Sequence, residues 1–106
     1  MKGQRFILAA VLAVASTATW AADGSAEAAK QKISMCVGCH GIPGYRTAFP
    51  SVYHVPKIGG QHPDYIVAAL MAYKDGTRSH PTMQGIAASL SDQDMADLAA
   101  YYGSAQ

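Results

Sequence analysis

The chain is short of almost everything that would bind a large or charged partner. It has 106 residues and only two cysteines, so at most one disulfide can form. Charge of either sign is sparse: eight Lys and Arg stand against seven Asp and Glu, a net charge of +1. There is no basic stripe, which argues against nucleic-acid binding, and no large net charge to steer an encounter. There is no internal repeat, and no low-complexity tract beyond the amino-terminal leader. There is no twin arginine, and no cysteine near the leader's end to take a lipid.

What is present begins with that leader. Lys2 and Arg5 precede an apolar run over residues 6–15, and a small, polar stretch follows to residue 22. This is the layout of a secretory signal. Cleavage is expected after Ala21, giving a signal over residues 1–21 and one domain over residues 22–106. The alternative is an uncleaved anchor. Residues 6–22 number 17, the short limit for a span, and include Ser16, Thr17 and Thr19. The mature chain would hold about 85 residues, with a formal charge near −1 once Lys2 and Arg5 are lost. A core of that size is marginal, and small scaffolds commonly rely on a staple.

Cys36-Val37-Gly38-Cys39-His40 suggests what the staple is. Cys-x-x-Cys-His is the spacing of a c-type haem attachment site. Two thiols three residues apart on a helical turn share a face, and can add to the two vinyl groups of haem. The histidine that follows can reach the iron as proximal ligand. Other readings of the pair remain: a thiol redox couple, for which the surrounding βαβ pattern is missing; half a zinc site with His54 and His62, whose separation of eight exceeds the usual spacing; or a strained disulfide. Thioether attachment outside the bacterial cytoplasm agrees with export, so a periplasmic location is expected.

Three main helices and two loops are expected. The first helix runs from Ala26 into the cysteine motif, with Ser25 as N-cap, Glu27 in the first turn, an apolar stripe of Ala26, Ala29 and Ile33, and Gly38 and Gly41 at its end. Residues 41–61 hold seven Pro and Gly, which forbids a regular helix. Their content of Tyr45, Phe49, Val52, Tyr53, Val55 and Ile58 is too apolar for a free linker and reads as a wrap over a cofactor edge, or as a loop packed on itself. The second helix opens at Pro63 with Asp64 in its first turn, carries the stripe Ile66, Ala69, Leu70 and Tyr73, and stops at Gly76. Residues 77–85 read as a loop broken by Pro81 and Gly85. The last helix begins at Ser91 with Asp94 as a capping-box partner, buries Met95, Leu98, Ala99 and Tyr102, and closes at Gly103.

The sixth position on the iron then needs a donor. Met35 directly precedes the attachment turn, on the wrong side, while Met71 and Met95 lie within helices, where Met fills gaps. Met83, in the second loop, can fold over the far face and present a thioether. His80 is its rival, and plain packing is the alternative to both. His62 is expected to help cap the second helix, and His54 lies among the loop aromatics.

With these residues in place the chain resembles a class I monohaem cytochrome c of the small bacterial periplasmic kind, and is similar to one half of the dihaem cytochromes c. The matching stretches are residues 36–41; Pro56-Lys57-Ile58-Gly59-Gly60-Gln61 with Tyr65; Ala69, Leu70 and Tyr73; Gly76-Thr77-Arg78; Met83; and Leu90-Ser91-Asp92 through Tyr101. The resemblance implies an all-α fold, three main helices and long loops wrapped around one covalently bound haem. It implies that Cys36 and Cys39 carry the haem, that His40 and Met83 ligate the iron, and that the Pro56 carbonyl accepts the Nδ1 proton of His40. It also implies that the first and last helices cross, so that Ala29 and Ile33 meet Leu98 and Tyr102; Arg78, Gln61 and the loop tyrosines are the candidates for a place near the propionates, and the match does not choose among them. Two departures stand out. Residues 46–55 form a longer, more aromatic connection than usual, and His80 precedes Met83 where a small or Asn-like residue is commoner. The expected function is a periplasmic one-electron carrier, not an enzyme. It would be monomeric, free of the membrane after cleavage, and would dock transiently at the haem edge with a protein donor and acceptor. Two alternatives are a haem protein with an open sixth site, acting as gas sensor or enzyme, and an electron-transfer subunit dedicated to one enzyme. A haem-free zinc or thiol protein is the third.

Overall fold

The computed structural model describes residues 23–48 and 52–104. The expected signal and Phe49 lie outside the described residues. Seven short elements follow one another: α1 (Ala26–Ala29), α2 (Ser34–His40), β1 (Arg46–Thr47), β2 (Tyr53–His54), α3 (Pro63–Asp75), α4 (Pro81–Ala88) and α5 (Asp92–Ser104).

The expected first helix is two. Ser25 caps α1 as anticipated, its hydroxyl accepting the Ala28 amide at 3.2 Å. The amides of Lys30, Gln31 and Lys32 then bond three residues back, to the carbonyls of Glu27, Ala28 and Ala29. This tighter turn interrupts the α-helical ladder. The chain resumes as α2 on the carbonyl of Ile33, which accepts from Cys36 and Val37. Gly38 lies inside α2 and does not end it; Gly41 is the C-cap.

The described residues between 41 and 61 hold no helix, in keeping with their breakers, but do contain a hairpin. β1 and β2 pair antiparallel, Arg46 opposite His54 and Thr47 opposite Tyr53. α3 follows the expected rules: Pro63 at its first position and Gly76 at its C-cap with φ of 85°, a left-handed turn that favours glycine. His62 holds the N-cap position but contributes no side-chain cap bond.

The expected loop over residues 77–85 is the main correction. From Pro81 the chain is helical through Ala88. Pro81 sits at N1, where its missing N–H costs nothing and its fixed φ suits a helix, so it starts the element instead of breaking it. Gly85 is tolerated in mid-helix for about 1 kcal/mol. α5 begins with the capping box foreseen at Ser91: the Asp94 amide donates to Ser91 Oγ at 3.0 Å, and the Ser91 amide donates to Asp94 Oδ2 at 2.9 Å. Gly103 does not close α5 but lies within it. A Cβ there would stand 2.5 Å from Pro63 Cγ, so glycine lets the end of α5 approach the start of α3.

α5 is the core element. It packs on α1 and α3, and α3 packs on α4. Met95, Leu98, Ala99 and Tyr102 are buried as expected, in one cluster with Ala29, Ile66 and Leu90, and Ile33 packs against it. No helix among the described residues is long and apolar enough to cross a membrane.

Candidate functional site

The expected stripe of α3 is only half buried by protein. Ile66, Ala69, Leu70 and Tyr73 all line one cavity, though Ile66 also belongs to the core shared with α5 and Leu70 packs against it. Into that cavity α2 brings Cys36, Cys39 and His40, and the hairpin brings Thr47 and Tyr53. Val55, Pro56 and Ile58 follow from the connecting chain, α4 adds His80, Met83 and Ile86, and α5 adds Leu98 and Tyr102. The lining is mostly apolar, so a group seated there is kept from water.

Three of the five residues singled out by sequence come from α2, because a helical turn returns residues three and four apart to one face. The two thiols are not joined to each other. Burial pushes the Cys36 thiol up, more than the neighbouring Tyr102 hydroxyl pulls it down. His40 Nδ1 lies 2.6 Å from the carbonyl oxygen of Pro56. A carbonyl only accepts, so Nδ1 carries the proton and Nε2 keeps its lone pair for a metal. Met83 comes from a different helix, α4, which begins with a His80 N-cap. Of the remaining described methionines, Met95 is sealed in the core and Met71 is 48% exposed; Met35 also lines the cavity, but from α2, directly before Cys36 on the attachment helix.

The histidines separate cleanly. His54 is exposed on the hairpin, where its Nε2 accepts from Arg46 Nε at 2.9 Å, and neither it nor His62 lines the cavity. His80 does line it, with its Nδ1 accepting the Met83 amide at 3.3 Å. Gln61, Arg78, Tyr53, Tyr65 and Tyr73 line it too. Arg78 lies over the Tyr73 ring, 4.8 Å from its centroid, with Nη1 3.5 Å from the Tyr65 hydroxyl. Sequence reasoning gave no role to Lys57, which also lines the cavity. Its place directly after Pro56 was the signal available.

These residues suit haem. The lining carries two permanent cations, Lys57 and Arg78, and no carboxylate among the described residues, as a group with two propionates requires. The Tyr102 hydroxyl is buried beside Cys36 without a hydrogen bond of normal geometry, and burial, then the neighbouring sulfur, holds its pKa far above the ordinary value. A protein interior filled by its own side chains would leave few such orphans. A zinc site finds no support, since among the described residues no three His, Cys, Asp or Glu cluster as a metal would need.

Comparison with known proteins agrees. Residues 21–106 match the sequence model of the family Cytochrome c. The chain is 42% identical over 84 residues to cytochrome c-554(548) of Halomonas halodenitrificans, covering 76% of this chain and 96% of that one. It is 35% identical over 100 residues to cytochrome c4 of Pseudomonas aeruginosa, covering 94% of this chain and 48% of that one. It is also 35% identical over 94 residues to the thiosulfate dehydrogenase electron acceptor of Thiomonas intermedia, covering 87% of this chain and 42% of that one. The chain thus spans about half the length of the cytochromes c4 it matches, and nearly all of the shorter relative. It belongs to the cytochrome c family, with the class I fold and a likeness to one half of the dihaem proteins, and is an electron-transfer haem protein with one covalently bound c-type haem and its iron.

Proposed function

We propose that the chain is a periplasmic one-electron carrier whose haem is joined to Cys36 and Cys39 and whose iron is held by His40 and Met83. The observation that carries this reading is the convergence of two thiols, an imidazole with Nδ1 committed to Pro56, and the Met83 thioether on one apolar cavity. When bound, the iron supplies a couple that gains one electron from a donor protein and gives it to an acceptor. The chain supplies the rest. The Pro56 carbonyl holds His40 through Nδ1, which fixes one tautomer and leaves the Nε2 lone pair for the iron. Ile66, Leu70, Ile86 and Leu98 exclude water. Lys57, Arg78, Gln61 and the tyrosines stand where the propionates can be balanced. No bond forms or breaks during transfer, so the protein needs no acid, base or nucleophile, and the chain is read as a carrier and not an enzyme. Docking is transient, at the haem edge, by a monomer freed from its signal after Ala21.

Spectra of the purified protein, oxidised and reduced, test this. A low-spin c-type spectrum with the weak far-red band of sulfur on ferric iron is expected. A high-spin spectrum, with ready uptake of carbon monoxide by the ferrous form, would move the assignment to a haem protein with an open sixth site.

A second reading has an observation of its own. Among the relatives are the thiosulfate dehydrogenase electron acceptor and a cytochrome subunit of sulfide dehydrogenase from Chlorobaculum tepidum, the latter 32% identical over 68 residues. The chain would then serve one dehydrogenase as a dedicated subunit or acceptor. Co-purification with a single oxidoreductase at fixed stoichiometry separates this from a free shuttle.

A further inference from the structure

His80 does two jobs with one ring. Its backbone is extended, with φ of −163° and ψ of 109°, the usual state of an N-cap. Pro81 at the first helical position has no N–H, so the first turn of α4 depends on what His80 offers to the residues beyond it. It offers two bonds: Nδ1 accepts the Met83 amide at 3.3 Å, and the carbonyl accepts the Gln84 amide at 2.8 Å. The same imidazole meets the Tyr53 ring of β2 edge to face, with centroids 5.2 Å apart and planes at 68°. Tyr53, His80 and Met83 all line the haem cavity. The hairpin therefore braces the ring, and the ring holds the backbone of Met83, which lines the cavity.

We infer that His80 is a positioning residue for Met83: capped on the Met83 amide and braced by Tyr53, it holds the sixth-ligand helix turn against the haem. The inference rests on the proposed ligation by Met83. It gives the aromatic hairpin and the histidine before Met83, the two departures from the family pattern, a common purpose. Asn would cap the helix equally well, but offers Tyr53 no ring to pack on. Serving as ligand through Nε2 would put the imidazole proton on Nδ1, which could then no longer accept the Met83 amide, so ligation by His80 and its cap on Met83 exclude each other.

The test uses the ferric holoprotein and its affinity for added imidazole. An external ligand binds only the fraction of molecules in which the native sixth ligand is off, so its apparent affinity reports that fraction. His80→Ala is expected to bind imidazole about fivefold more tightly than wild type, the equivalent of a typical cap of about 1 kcal/mol. It should also lose the far-red sulfur band at a temperature well below that of helix unfolding. His80→Asn, which restores the cap but not the contact with Tyr53, should fall between His80→Ala and wild type, and Tyr53→Leu, which keeps the cap and loses the same contact, should likewise bind more tightly than wild type. Wild-type imidazole affinity in His80→Ala, with the far-red band lost only at global unfolding, would overturn the inference and leave His80 a purely structural cap. If His80→Ala fails to fold, an unchanged affinity in Tyr53→Leu overturns it instead. A wild-type spectrum without the far-red band, unaltered by Met83→Ala, would remove Met83 as ligand, and the positioning role with it. That outcome is distinct from a failure of His80 alone.

Discussion

Lys32 Nζ donates to Asp97 Oδ2 at 2.7 Å, joining the turn after α1 to the middle of α5 across 65 residues of sequence. Asp97 is the buried charged residue among the described residues, 2% exposed, and its other oxygen accepts the Ser25 amide at 2.8 Å and Gln93 Nε2 at 2.9 Å. Lys32 also pairs with Asp94 of the α5 capping box. The α1–α5 crossing is thus clamped by charge beside its apolar contact, and the clamp bears directly on the site. The turn it holds leads into α2, which carries Cys36, Cys39 and His40.

This clamp predicts an acid transition. Hydrogen bonds from Lys32, then from the Ser25 amide and Gln93, lower Asp97 from its ordinary 3.8 to about 2. Lys32 and then Ser91 lower Asp94 to about 2 as well. A carboxylate whose folded pKa is depressed stabilises the fold fully above the unfolded value, and loses that contribution as pH falls through the folded one. Stability should therefore be flat from neutral pH to about pH 5, then fall between about pH 4 and pH 2. Asp97→Asn should lower the denaturant midpoint at pH 7 and flatten that acid limb. Urea unfolding followed by circular dichroism across this range checks both. An unchanged limb in the variant would mean that the clamp adds nothing to the fold.

The methionines give a sharper contrast. Met83→Ala is expected to keep the covalent haem, lose the far-red band and lower the reduction potential by an amount on the order of 0.1 V, within the roughly 0.8 V that axial ligands command. Met95 is 0% exposed and packs in the core between α5 and its neighbours. Met95→Ala should cost about 2–5 kcal/mol of stability, yet leave the potential and the far-red band in place. Redox titration and thermal unfolding of the two variants would show opposite patterns. A lowered potential in both, or in neither, removes Met83 from the iron.

Much of the site was legible in the sequence for a simple reason: its densest part is local. Cys36, Cys39 and His40 lie within one helical turn, so their spacing already states their geometry. Pro56 left no such trace, because its contribution is a backbone carbonyl that any residue carries, and only the family likeness pointed to it. The helix around Met83 was misread because Pro81 and Gly85 were weighed as breakers. Position decides what a proline does, and at N1 it starts a helix. The division of the first helix was hidden because a switch to three-residue hydrogen bonds over residues 30–32 leaves the Ala29 and Ile33 stripe intact. The hairpin was invisible because two-residue strands are too short to show alternation. Asp97 left no signal of its own in the sequence, since its partners at Ser25 and Lys32 come from the far end of the chain.

Two glycines of the α3–α4 region should respond in opposite directions to the same substitution. Gly76 caps α3 with φ of 85°, a conformation that costs a residue with a Cβ about 1–2 kcal/mol. Gly76→Ala should therefore destabilise by about that amount, and its disturbance should spread toward α4, because Arg78 bonds back to the Ala72 carbonyl at 3.0 Å just beyond the cap. Gly85 lies inside α4 without a positive φ, is not among the residues lining the haem cavity, and would place a Cβ where no protein atom lies within 4 Å. Replacing it by alanine removes backbone freedom from the unfolded chain and should stabilise by about 0.5–1 kcal/mol. The gain would fall on the helix that carries Met83, so Gly85→Ala should also weaken imidazole binding to the ferric protein, by up to about fivefold if the whole gain acts on the ligand-bound state. Thermal unfolding and imidazole titration of the two variants measure both effects. A Gly85→Ala protein that is more stable but binds imidazole with unchanged affinity would show that the order of α4 and the hold of Met83 on the iron are independent.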